Sequence, residues 1–266
     1  MQNIQEQIPA LLCMKNYPKQ LFYEGNLELL KQKKISIVGS RKPTQYSRTL
    51  AQKLSLALSK AGVCVVSGGA MGIDAVCHIG AGSANTIAVL PCGIDIKYPS
   101  VNKNLLGEIH KNGLLLSQFD VGFHAAPWSF VVRNELVVAL GDVLVVAEAE
   151  EGSGSMRSVE FALKMKKEIY VFPQRVGEST ATNALLQEGK AKAIYDIDAF
   201  VAMFCEDLHK EKKTPFLASP HIQDEFLEFC NTNPTYDEAL KKYPTRVFEA
   251  ELSGLIAINN SRVYLL

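Results

Sequence analysis

The sequence predicts a doubly wound, mostly parallel α/β sheet followed by a small winged-helix domain. Six short apolar runs rich in β-branched residues have the character of strands buried on both faces of a parallel sheet. Segments of helical period alternate with them, as such a sheet requires. Beyond a charged, proline-containing stretch, three short helical segments precede a hairpin, and this pattern predicts the second domain.

The elements follow in order. The run ISIVG begins at Ile35 and ends in glycine, followed by Ser40 and Arg41. In YSRTLAQKLSLALSKAG, Leu50, Leu54, Leu58 and Ala61 share one helical face and Gly62 is the stop signal. VCVVSG then leads into the helix IDAVCHIGAG, TIAVLP into NKNLLGEIHKNG, LLLSQF into SFVVRNELVVALGD and VLVVAEA into SMRSVEFALKMKK, with EIYVFP as the last run. The sheet domain is expected over residues 35–207, with residues 1–34 as an extension packed on it. LHKEKKTPFLASP reads as a linker over 208–220. IQDEFLEFCN, TYDEALKKY and TRVFEAELSG read as three helices, and LIAINNSRVYLL as a hairpin turning at Asn259–Asn260, so the winged helix spans 221–266.

Composition narrows the class of protein. With 266 residues, 47% hydrophobic and 21% charged, the chain can bury one sizeable core and a small satellite. No apolar run approaches the ~18 residues of a membrane span. The start, MQNIQEQIPALLCMKNYP, has neither a basic leader nor a cleavable small-residue site, so a cytoplasmic location is expected. The six cysteines form no C-x-x-C pair and read as buried free thiols in a reducing compartment. The scattered histidines supply no metal set, and no metal or cofactor is expected. Net charge is zero, but residues 215–266 carry four basic against seven acidic side chains. Any basic patch is therefore expected to lie before residue 215.

Ligands of an open α/β sheet sit at the carboxyl ends of its strands. The first such mouth offers Gly39, Ser40 and Arg41, beside the free amides of the helix that follows. Arginine there supplies a planar fork suited to phosphate. The second mouth, SGGAMGIDAVCH, offers Ser67, Gly68 and Gly69, with Asp74 orienting the next helix. Lys103 starts the helix after PCGIDIKYPSVN, whose Tyr98 and Pro99 read as loop packing. Arg133 and Asn134 interrupt an apolar helix and must face a cleft or a partner. Ser153, Gly154 and Ser155 lead into a further donor-rich helix start. Phe123, Trp128 and Phe130 either stack on bases or belong to the core.

The pieces YPKQL, LFYEGNLELL, IVGSRKPTQYS, VSGGAMGIDAVCH, TIAVLPCGIDIKYPSVN, LLLSQF, RNELVVAL, VLVVAEA and GSGS occur in an order that resembles the DprA/Smf (DNA-processing protein A) family over about residues 17–190. The resemblance implies a Rossmann-like domain that binds single-stranded DNA and forms a homodimer. It also implies loading of RecA recombinase in natural transformation. The chain departs from the pattern at SGGAMGID, where Met71 replaces a usual basic residue. Arg48 and Arg175 are candidates to compensate. Several separate anion mouths suit successive phosphates better than one compact pyrophosphate.

An alternative is an enzyme resembling the nucleotide phosphoribohydrolases of the lysine-decarboxylase-like group, whose P-G-G-x-G-T-x-x-E motif carries a catalytic glutamate. Here EEGSGSMRSVE places Ser158 at the glutamate position, and Glu160, two residues on, lies about 200° around the helix. For the winged helix, TRVFEAELSG offers one arginine against two glutamates, so protein contact is expected, with duplex DNA as the alternative.

Overall fold

The computed structural model describes residues 2–204, 225–243, 246–247, 250, 256–259 and 261–265. The chain divides into two compact units, Met1–Lys212 and Lys213–Leu266. The first runs β1 (Gln2–Asn3), β2 (Phe22–Gly25), β3 (Lys34–Val38), α1 (Gln45–Lys60), β4 (Cys64–Ser67), α2 (Ile73–Ala81), β5 (Thr86–Val89), α3 (Lys103–Asn112), β6 (Leu114–Ser117), α4 (Pro127–Leu140), β7 (Val143–Val146), α5 (Gly154–Lys164), β8 (Ile169–Val171), α6 (Thr180–Gln187), β9 (Lys192–Ala193) and α7 (Ile197–Ala202). All six apolar runs are strands, and each expected helix of this unit is present.

The strands form one sheet in the order β1-β2-β6-β5-β4-β3-β7-β8-β9. From β6 to β9 every pairing is parallel, whereas β2 joins β6 and β1 antiparallel. The N-terminal segment therefore extends the sheet as well as packing on it. The chain starts β3 in the middle and winds outward both ways, so the strand order reverses between β3 and β7.

Alternation along the strands explains the two layers. Ile35, Ile37 and Val65 pack with Leu54 and Leu58 of α1 and with Ile73 and Cys77 of α2. Val38, Cys64 and Val66 turn the opposite way, toward Leu136–Leu140 of α4 and Val159 and Ala162 of α5. Fully buried aliphatic side chains of this kind each contribute about 1.5–3 kcal/mol. Ser36 is the polar exception within β3. Its hydroxyl donates to the Val137 carbonyl at 2.5 Å, and a Cβ on Gly141 would collide with it. The small pair lets α4 lie close against the strand.

Cys64, Cys77 and Cys92 are buried free thiols, with Cys64 and Cys77 pushed up to about 12 by burial, and Cys230 is buried. Cys13 differs: it is exposed, at the end of a 3-10 turn on the surface. Cys205 and the expected linker 208–220 lie outside the described residues.

In the second unit, the helices Glu225–Cys230 and Tyr236–Lys242 share a core with Val247, Ala250, Ile256 and Val263. Thr235 and Glu238 cap the second helix reciprocally, each side chain accepting from the other's backbone amide. β10 (Ile256–Asn259) and β11 (Arg262–Leu265) form the hairpin. Its register pairs Asn259 with Arg262, which moves the turn one residue beyond Asn259–Asn260, to where Ser261 takes φ 59°. Arg246, Val247 and Ala250 are helical. The rest of the expected third helix, 245–254, lies outside the described residues.

Candidate nucleic-acid interface

A cleft of about 650 Å³ opens at the carboxyl ends of the strands, at the point where the strand order reverses. It brings together Gly39, Ser40 and Arg41 after β3, Gly68 after β4, Arg133 and Asn134 of α4, and Ser153, Gly154 and Ser155 at the start of α5. These nine positions were read from four separate stretches of sequence. The cleft also takes in Phe130, Arg157 and Ser158.

The β3 turn is held by backbone from two neighbours. The Ser40 amide donates to the Glu148 carbonyl at 2.9 Å, and the Ile73 amide donates to the Ser40 carbonyl at 3.1 Å. Gly72, at φ +79°, is needed here: a Cβ would lie 2.3 Å from the Ser40 carbonyl oxygen. The loop is thus fixed while the Arg41 side chain stays exposed, its guanidinium carbon 5.0 Å from the centre of the Phe130 ring.

Two of the amides expected to be free at the start of α1, those of Thr44 and Ser47, are engaged within the chain. Thr44 caps that helix, accepting from the Ser47 amide, and the buried Glu148 carboxylate accepts from both the amide and the hydroxyl of Thr44 at 2.8 Å. A carboxylate of the protein itself already occupies the positive end of α1. The start of α5 also lines the cleft. Its N-cap, Ser153, makes no capping bond, and the hydroxyls of Ser153 and Ser158 are buried without a hydrogen-bond partner.

Arg133 lines the floor of the cleft and is buried there. It is 4% exposed, with Nη1 3.8 Å from the Asp74 carboxylate and 3.3 Å from the Val89 carbonyl. Glycine at 68 makes room for it: a Cβ there would sit 1.3 Å from Nη1. Burial lowers the pKa of Arg133, opposed by Asp74, and burial raises that of Asp74, opposed by Arg133. In each group burial outweighs the favourable charge of the partner. Asp74 also accepts from the Ala70 amide at 3.3 Å, which ties the glycine-rich turn to α2.

Four expected positions stand outside the cleft. The Ser67 hydroxyl is fully buried and donates to the Ile37 carbonyl at 2.7 Å, so it joins β4 to β3. Gly69 turns toward Leu106, and its carbonyl accepts from Asn102 at 2.9 Å. Lys103 and Arg48 are exposed on α3 and α1, and neither lines the cleft. Direction along a helix or strand decides these cases, and spacing from a glycine does not reveal it.

The aromatic residues separate into two groups. Trp128 is 55% exposed and packs edge-on against Phe119 and Phe123, so it is a surface residue and not core. Phe130 is half-buried between Arg41 and Tyr98, whose ring centre lies 5.8 Å away. Tyr98 thereby packs its loop against α4 and remains 41% exposed. Sequence reasoning missed Arg157 and Glu148. The period of α5 from Ser153 carries the signal for Arg157, whereas Glu148 is distant in sequence from the Thr44 it holds.

The phosphoribohydrolase alternative finds a serine hydroxyl, that of Ser158, at the expected carboxylate position in the cleft. Glu160 points to the outer face, where both its oxygens accept from Arg157 at 3.0 Å.

A family model described as DNA recombination-mediator protein A matches residues 2–205. The chain is 36% identical over 176 residues to the DNA processing protein DprA of Streptococcus pneumoniae, covering 65% of this chain and 62% of that one. It is 33% identical over 186 residues to DprA of Bacillus subtilis, covering 68% and 62%. It thus spans about three-fifths of the length of these two relatives. Among solved structures it is similar to DNA processing protein A from Helicobacter pylori, which is described by its single-stranded DNA binding mode. That similarity has 38% identity and a TM-score of 0.75, and covers 77% of this chain and 96% of the other. The Streptococcus pneumoniae DprA structure matches with 33% identity and a TM-score of 0.70, covering 74% and 71%.

Proposed function

Because this chain belongs to the DNA recombination-mediator protein A family, we propose that it binds single-stranded DNA across the cleft with little sequence preference and assists RecA loading. The setting is natural transformation and recombination in the cytoplasm, with the chain acting as a homodimer, as the family resemblance implies. The role is one of binding, in keeping with a family described as a mediator.

The observation that carries this reading is Arg41 resting on Phe130 at the rim of the cleft. An exposed guanidinium resting on an aromatic ring offers a donor for phosphate, and its own plane offers a platform for a base. Single strands can use both, because their bases are free to unstack. The amides and hydroxyls at the start of α5 add donors that read no base sequence. The second unit is assigned to protein contact, on the acidic balance of residues 215–266.

Fluorescence anisotropy with labelled oligonucleotides tests the reading. Unrelated single-stranded sequences of one length bind with similar affinity, and blunt duplex of that length binds more weakly. Equal binding to duplex contradicts it. Faster RecA assembly on a single strand in the presence of the chain tests the loading step, and an unchanged rate contradicts that step alone.

A further inference from the structure

We propose that the first turn of α5 is a receptor for a phosphate monoester, with Ser158 as its deepest donor. The ligand is the terminal phosphate of a DNA strand or a free nucleoside monophosphate. The inference rests on the cleft being the nucleic-acid site and adds a preference for one kind of phosphate.

α5 runs Gly154–Lys164, long enough to have a well-formed positive end. The amides of Gly154 and Ser155 have no carbonyl one turn earlier within the helix. A serine at an N-cap commonly accepts from such amides. Ser153 does not, and its hydroxyl is buried without a partner. One turn into the helix, Ser158 is 1% exposed, lines the same cleft, and its hydroxyl is also without a partner. A buried hydroxyl with no partner is left unsatisfied at a cost in stability. Two at one helix start, both in a cleft, point to a ligand that supplies the acceptors.

That ligand must be rich in acceptors and small at its tip. The hydroxyls and first-turn amides are all donors, and Arg157 lines the same cleft although its Nη1 donates to Glu160 at 3.0 Å. Glu150 also lines the cleft, but its carboxylate is engaged by the amide and hydroxyl of Thr180. A terminal phosphate presents three free oxygens, whereas an internal diester presents two and carries a sugar on either side. To reach a group as deep as Ser158, the end of a chain fits better than its middle.

The test uses the full chain and three oligothymidylates of one length: 5′-phosphorylated, 3′-phosphorylated, and with hydroxyls at both ends. One phosphorylated oligonucleotide is expected to bind about tenfold tighter than the hydroxyl form, equivalent to about 1.4 kcal/mol. The end that gives the gain identifies the strand polarity. Ser158→Ala is expected to bring the ratio to within about twofold, with its thermal melt checked against the parent. In competition, thymidine monophosphate displaces the hydroxyl oligonucleotide and thymidine does not, which measures the free-nucleotide source. Equal binding of all three oligonucleotides, with no difference between the monophosphate and the nucleoside, overturns the proposal and leaves single-strand binding standing. Binding of the monophosphate but of no oligonucleotide supports the receptor and rejects the DNA reading.

Discussion

Arg41 and Phe130 line the cleft from two elements, one from the turn after β3 and the other from α4, and meet with the guanidinium carbon 5.0 Å from the ring centre. The contact holds a cation at the rim without burying it, since Arg41 remains exposed. Arg41→Ala is expected to weaken single-strand binding by roughly 1–3 kcal/mol, the range for one charge-assisted contact. Lysine at 41 restores part of this, because an ammonium lacks the planar fork. The thermal melt stays near that of the parent, and a large drop in it assigns Arg41 a structural role instead.

Arg133 behaves differently, because it is buried against Asp74. Arg133→Ala leaves the Asp74 carboxylate buried and unpaired, and is expected to cost roughly 3–5 kcal/mol of folding stability. Replacing both, as Arg133→Met with Asp74→Leu, costs less than Arg133→Ala alone. Denaturant titration of the two variants checks this, and a double variant less stable than the single one contradicts the pairing. Gly68→Ala is expected to destabilise as well, since the new methyl group would displace the Arg133 guanidinium.

His78 sets a pH dependence. Its Nδ1 lies 2.7 Å from the Thr86 hydroxyl, which itself donates to the Val65 carbonyl, so Nδ1 carries the proton and Nε2 is buried without a partner. Burial, then the nearby Arg133, lower its pKa to about 3 from 6.5. Between these values the unfolded chain binds a proton that the folded chain refuses, so this contribution to stability is lost as pH falls from 6.5 toward 3. Asp74, raised by burial, acts in the opposite sense, so the comparison is parent against His78→Gln. The parent is expected to lose up to about 1.4 kcal/mol more per pH unit in this window. Parallel pH profiles of denaturation midpoint contradict the account.

The unit Met1–Lys212 holds every residue of the cleft. A chain ending at Lys212 is therefore expected to bind single-stranded DNA as tightly as the whole chain. The 213–266 fragment is expected to bind it weakly. Tight binding by the smaller fragment contradicts the assignment of that unit to protein contact.

The apolar runs made the parallel sheet legible, because strands buried on both faces must be apolar throughout. β2 was not legible: FYEG is short and mixed, and only its pairing with Leu114–Ser117 makes it a strand. α6 and α7 escaped notice for a related reason, since TATNALLQ and IDAFVA are too short to show a period. At the cleft, glycine-rich turns and strand ends pointed to Arg41 and Ser153–Ser155, which the fold brings to one cleft. They did not reveal that Gly68 accommodates Arg133, or that Glu148 reaches Thr44, because both contacts join residues far apart in the chain.

The most direct measurement is a salt titration of binding to single-stranded and duplex DNA, for the parent and for Arg41→Ala. Phosphate contact by the cleft predicts that the parent's single-strand affinity falls with salt, with a log–log slope of about −0.7 per phosphate neutralised. It further predicts a shallower slope for Arg41→Ala and weaker duplex binding at every salt concentration. A parent affinity independent of salt, or a variant slope equal to the parent's, would contradict it.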